Sequence, residues 1–166
     1  TGFAYLDPAR ARENLTVLGD TPVDRLLVED GRVTSAVAGG RELAADTVVV
    51  SSGAYGSPGI LLRSGIGPEG EVVQLPVGEG LVDHVGTGAA WEPTARLLDE
   101  TAAHEAEHGL YMGQVTVARR SRSCPAGTRD LFVFPALDVG PEISGAAFAM
   151  KPHSRGSVRL NGPDPE

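Results

Sequence analysis

The first third of the chain alternates short apolar runs with turn residues, which predicts short strands. Pro22 opens a run from Val23 to Glu29 in which Leu26, Leu27 and Val28 are apolar. Asp30-Gly31 is a turn signal, and Val33 to Val37 returns as the second strand of a hairpin. Gly39-Gly40 turns the chain again. Leu43 then leads into Asp46-Thr47-Val48-Val49-Val50, whose β-branched residues predict a strand buried on both faces. The next segment, Ser51-Ser52-Gly53-Ala54-Tyr55-Gly56, is small and flexible. Ser57 is a good N-cap, Pro58 suits the first helical position, Gly59 to Ser64 reads as a short helix, and Gly65 supplies its stop. Residues 68–88 are rich in turn formers. Thr94 caps a helix over 95–108 that Gly109 ends. Strand-like alternation resumes at Val115 and Val117, Leu131 to Phe134, Ala146 to Met150, and Val158 and Leu160, which predicts an antiparallel sheet carrying one helix.

Composition narrows the function classes. Of 166 residues 41% are hydrophobic but only 5% aromatic, so a core must rest on Val, Leu, Ala and Ile. The 22 glycines and 12 prolines are spread without a period, which means many turns rather than a fibrous or low-complexity chain. The net charge of −8 argues against nucleic acid as a partner, because no basic face is available to displace phosphate counterions. No apolar run approaches the roughly 18 residues of a membrane span, and there is no signal-peptide pattern, which favours a cytoplasmic location. The single cysteine, Cys124, excludes an internal disulfide or a cysteine-based zinc site. The chain opens at Thr1 inside a folded-looking pattern and stops at Gly162-Pro163-Asp164-Pro165-Glu166, so it is expected to be a piece of a longer protein.

Three places could carry chemistry. A buried strand, a glycine turn and a capped helix around Ser51 to Ser57 would leave free N–H groups at the positive end of a helix dipole, which suits a phosphate. Many such units hold no ligand, so the pattern by itself leaves both readings open. His104-Glu105-Ala106-Glu107-His108 matches H-E-x-x-H, in which two histidines one turn apart can hold zinc with the glutamate as general base. A zinc hydrolase would need a third ligand, and Tyr111 and Gln114 stand where the extended pattern wants Gly and His, so a solvated acidic helix face is the plainer reading. Asp83-His84 could be an oriented base, but neighbours in an extended chain point to opposite faces, which favours a turn or capping role. Cys124 lies in a polar loop near Arg119, Arg120 and Arg122, where it is either a bland thiol or one activated by charge. His153 reads as a surface residue, and no G-x-S-x-G elbow is present.

Residues 53–67, GAYGSPGILLRSGIG, resemble the second signature of the glucose–methanol–choline (GMC) flavoprotein oxidoreductases. That pattern wants a small pair, Ser-Pro, paired aliphatics, then Ser-Gly-aliphatic-Gly. Gly53-Ala54, Ser57-Pro58, Ile60-Leu61 and Ser64-Gly65-Ile66-Gly67 supply each. Three flanking stretches are similar to the family in the same order: Ala4 to Arg10 leading into Asn14 to Val17, Leu75 to His84, and Ser154 to Leu160 with Asp164-Pro165. Gly80 and Val82 depart from the Asn and Gln usual in the family. The family's G-x-G-x-x-G fingerprint is absent from this sequence, and its catalytic His pair lies in a segment beyond Asp164-Pro165.

The resemblance implies an α/β to α+β fold. Residues 1–87 would form part of an FAD-binding, Rossmann-like domain with a β-meander, and residues 88–166 part of an antiparallel-sheet substrate domain. It implies FAD as cofactor and a small-molecule alcohol as substrate, oxidised by hydride transfer to the flavin while a histidine takes the hydroxyl proton. By position, Val23 matches the residue whose backbone meets the adenine, Ser51, Ser52 and Gly53 match the turn approaching the cofactor, and Ser57 lies beside it. No catalytic residue is expected within this chain, so flanking segments or a complementing chain would supply it. The alternative is a non-catalytic remnant or a module binding a nucleotide or another small molecule.

Overall fold

The computed structural model describes residues 2–109, 115–137 and 143–162. In chain order, a π-type turn at Gly2–Leu6 and α1 (Asp7–Ala9) precede β1 (Val23–Glu29), β2 (Arg32–Ala38), β3 (Arg41–Ala44) and α2 (Gly53–Arg63). Then come β4 (Ile66–Gly67), β5 (Val73–Gln74), β6 (Glu79–Leu81), β7 (Val85–Trp91), α3 (Ala95–His108), β8 (Val117–Arg119), β9 (Leu131–Leu137), β10 (Ile143–Ala149) and β11 (Gly156–Ser157). The fold is mixed α/β with several small sheets. It divides into two compact units, Thr1–Leu81 with Gly156–Glu166, and Val82–Arg155.

In the first unit, β1, β2 and β3 form an antiparallel meander. The first turn places Asp30 (φ 49°) and Gly31 (φ 74°) both in left-handed backbone, as a two-residue hairpin of right-handed twist requires. Gly39 and Gly40, with φ of 54° and 71°, repeat the device. Helix α2 packs on β1, and Leu26, Ala38 and Ile60 are the apolar residues that become fully buried there. Two buried hydroxyls complete this small core. The Ser64 Oγ accepts the Leu26 N–H at 2.8 Å and donates to the Ile60 carbonyl at 2.6 Å. Ser35 Oγ donates to the Glu42 carboxylate at 2.7 Å across the β2–β3 pair.

Two expectations fail in this unit. Residues 46–50 form no strand, and Val49 is 83% exposed. A β-branched run becomes a strand only where a neighbour satisfies its N–H and C=O groups, and no described strand pairs with it. The helix also begins earlier than expected. Ser52 occupies the N-cap position without a side-chain bond, and Pro58 lies inside α2 rather than at its start. Ser57 is therefore not a cap. The proline removes the N–H that residue 58 would give to the Ala54 carbonyl, a loss that falls within the exposed opening turns while the packing of the helix on β1 is kept. Gly65 ends the helix region with φ 73°, as expected.

The second unit is built on an antiparallel sheet of order β7-β10-β9-β8. Nothing in the local sequence announces strand β7, because Gly86 and Gly88 are poor strand formers. Here they make room: a Cβ at Gly86 would collide with the Phe148 ring, and one at Gly145 would come within 3.2 Å of the Trp91 indole. Val158 and Leu160 do not extend this sheet. Gly156–Ser157 pairs with Glu79–Leu81 in the first unit instead, and Val158 N–H donates to the Gly78 carbonyl. Helix α3 matches its expected bounds, with Thr94 Oγ1 accepting the Leu97 N–H at 3.3 Å and Gly109 (φ 74°) at its C-cap.

Candidate functional site

The residues singled out for a cofactor lie on or beside one strand–helix pair but not at one end of it: Val23 adjoins Asp24, which is bonded by Arg63 at the C-terminal end of α2, whereas Ser51 to Gly53 lie at its N-terminal entry. Val23 opens β1, the strand α2 packs against, and a bulge between Val23 and Arg25 breaks the regular ladder there. Ser51, Ser52 and Gly53 form the entry to α2, and Ser57 lies in its second turn. Gly53 takes φ 81°, a conformation that L side chains rarely adopt, and a Cβ there would meet nothing within 4 Å. Residues 51–55 are exposed. The first-turn amides of α2 have no intrahelical acceptors, and Ser52 Oγ caps none of them. The result is an open, uncapped helix start with several N–H donors and no acid in its first turn.

The other end of α2 is locked to β1. Arg63 Nε donates to the Asp24 carbonyl and to its Oδ1, each at 2.9 Å, and Arg25 pairs with the other Asp24 oxygen. Only 13% of the Arg63 side chain is exposed, so this ion pair is partly desolvated and orients the helix on the strand. A cavity of about 660 Å³ opens nearby, lined by Leu26, Leu62, Gly65, Val72, Val77 and Leu160 among others. Sequence reasoning missed it, because it depends on the chain returning at 158–160 beside α2.

The remaining candidates separate. His104 and His108 do share one face of α3, with ring centroids 4.8 Å apart. Among the described residues, no group of three His, Cys, Asp or Glu could hold a metal, and α3 buries no residue, so the third ligand and cleft of a zinc hydrolase are not formed there. Tyr111 and Gln114 lie outside the described residues. The Asp83 carboxylate accepts the His84 backbone N–H at 2.7 Å, the turn role expected, and so does not orient the imidazole through that bond. Cys124 is buried in the β8–β9 loop with Sγ 2.9 Å from Thr128 Oγ1. In the same loop, the Ser121 hydroxyl and amide donate to Asp130 at 2.6 and 2.7 Å and hold its carboxyl below the usual carboxylate range. His153 is exposed, as expected.

In the second unit, register puts Phe132, Phe134 and Phe148 on one face of the sheet. Phe134 and Phe148 meet edge to face at 5.7 Å, and Phe132 lies 6.3 Å from Phe134. These rings make a half-buried apolar wall. Among the described residues no helix is long and apolar enough to cross a membrane.

Comparison with known proteins gives the family. The model for GMC oxidoreductases matches residues 1–86. A 5-(hydroxymethyl)furfural oxidase from Methylovorus sp. (strain MP688) is 34% identical over 97% of this chain and 33% of its own length. An oxygen-dependent choline dehydrogenase from Pseudomonas putida (strain KT2440) is 40% identical over 51% of this chain and 18% of its own length. One from Yersinia pestis (strain Pestoides F) is 41% identical over 51% and 18%. The chain thus spans a third of the first relative and under a fifth of the others.

Proposed function

This chain belongs to the GMC oxidoreductase family, and from that membership we propose that it forms part of the cofactor-holding and substrate-facing framework of an FAD-dependent enzyme that oxidises an alcohol CH–OH group. The observation that carries the reading is the entry to α2. The stretch most similar to the family begins at Gly53, where the helix start is open, exposed and rich in unpaired amides. That donor set fits a phosphate-bearing group: backbone N–H groups point outward at the positive end of the helix dipole and no carboxylate opposes an anion in the first turn. Ser51, Ser52 and Gly53 would hold the nucleotide's phosphate end through backbone and hydroxyl groups. Val23 would offer the backbone of an irregular strand start to the adenine, and Ser57 would lie alongside.

FAD, when bound, supplies the acceptor for the hydride. This chain's residues position and shield. In the proposed division, residues 1–87 belong to the cofactor domain and 88–166 to the substrate domain, whose sheet carries the apolar face made by Phe132, Phe134 and Phe148. The proton acceptor would come from outside these residues, by flanking segments or a complementing chain. The relatives' names cite both a furan alcohol and choline, so the reading stops at the class of small alcohols.

A visible spectrum of the purified chain, taken after mixing with FAD and gel filtration, tests this. Flavin bands eluting with the protein, and diminished in Gly53→Val, are expected. Flavin bands that persist undiminished in Gly53→Val contradict the reading, and a folded chain that elutes free of flavin is the outcome expected of a fragment that needs its flanking segments or of a remnant.

A further inference from the structure

Helix α3 stands apart from the proposed flavin chemistry. It has 14 residues and none is buried. A helix of that length is near the limit of stability when tertiary packing contributes little. Its own devices are the Thr94 cap and one exposed Arg96–Glu100 pair at 2.8 Å. Against this background the histidine pair is well placed. His104 and His108 are one turn apart, both exposed, with ring centroids 4.8 Å apart and planes at 60°. Two imidazoles at that spacing can turn toward one ion without unpacking anything.

We infer that His104 and His108 form a two-point chelate for a divalent transition-metal ion of the Zn2+ type, and that its binding orders α3. Neutral imidazole nitrogen is a favoured ligand for zinc, nickel and copper, and it needs no carboxylate partner to bind them. The surroundings are acidic. Glu105 and Glu107 flank the pair, Glu107 Oε1 lies 3.6 Å from His108 Nε2, and the chain carries a net charge of −8, so a cation is drawn to this face. Glu100 lies on the same stripe one turn earlier, but its carboxylate is held by Arg96. The ion would therefore keep water at its other positions. This is an open site with two protein ligands, fewer than the three of catalytic zinc sites or the four of closed structural ones. An ion that binds only the helical form stabilises it by mass action, so metal affinity and helix content are linked.

The test uses the tag-free chain and zinc chloride alone. Calorimetry is expected to show one ion per chain, and circular dichroism at 222 nm to deepen over the same titration. His104→Gln and His108→Gln each remove one ligand without disturbing packing. Each is expected to weaken binding by at least about tenfold, with metal-free helix content unchanged. Magnesium chloride is expected to leave the 222 nm signal unmoved, since imidazole discriminates against hard cations. Zinc binding that persists in the double variant, a helix signal indifferent to zinc, or an equal response to magnesium would each overturn the inference.

Discussion

Ser64 shows how much one side chain carries in so small a core. Its hydroxyl bridges the Leu26 N–H and the Ile60 carbonyl while 7% exposed, joining β1 to the end of α2. Ser64→Ala leaves a buried amide without a partner, and urea denaturation is expected to show a loss of about 1–3 kcal/mol. Asp130 acts at the surface. Because hydrogen bonds from Ser121 lower its folded-state pKa, the charged form favours the ordered loop. That contribution is present above the unfolded carboxylate value of about 4 and is lost as pH falls through the folded value. Protection of the Ser121 amide, its exchange relative to the intrinsic rate at each pH, is expected to fall on acidification below about pH 4, and Asp130→Asn to remove that pH dependence. An amide indifferent to both would contradict the clamp.

At the scale of elements, the sequence was legible wherever a local rule decides. The Asp30-Gly31 and Gly39-Gly40 turns, the Gly65 stop and the whole of α3 follow from left-handed backbone or a cap, which neighbouring residues specify. Thr94→Ala is expected to cost about 0.5–2 kcal/mol of helix stability, read from the 222 nm signal. What escaped depends on contacts distant in sequence. Residues 46–50 have every local mark of a strand and lack a partner, while β7 has poor local marks and is a strand because Phe148 lies over Gly86. Gly86→Val forces that ring aside, so the second unit is expected to lose about 1–3 kcal/mol of stability and to unfold at lower temperature. Ser57 and Pro58 misled for the same reason: cap rules place a start at Pro58, but α2 packs on β1 and extends back to Gly53.

Across the whole molecule, apolar surface is left open. Val85, Trp91, Val117 and Val133 share one face of the β7–β10 sheet, with exposures of 62, 56, 40 and 37%. The chain is expected to enhance the fluorescence of the apolar dye ANS, and Val85→Lys with Val133→Lys to reduce it; an unchanged signal would mean the face is covered in solution. The candidate cofactor site was legible in the amino-acid sequence as a family signature, because glycine and serine spacing marks a helix entry. The cavity beside Leu26 and Leu160 was not, since it is lined by segments from both ends of the chain.

The α2 entry is proposed to hold the phosphate end of a flavin nucleotide. Amide chemical-shift mapping tests it most directly, with FAD added to the isotope-labelled chain. Saturable shifts are expected at Ser51 to Gly56 and at Val23, with residues 95–108 unmoved. A well-dispersed spectrum in which those amides stay fixed, or in which the shifts fall elsewhere, would contradict it.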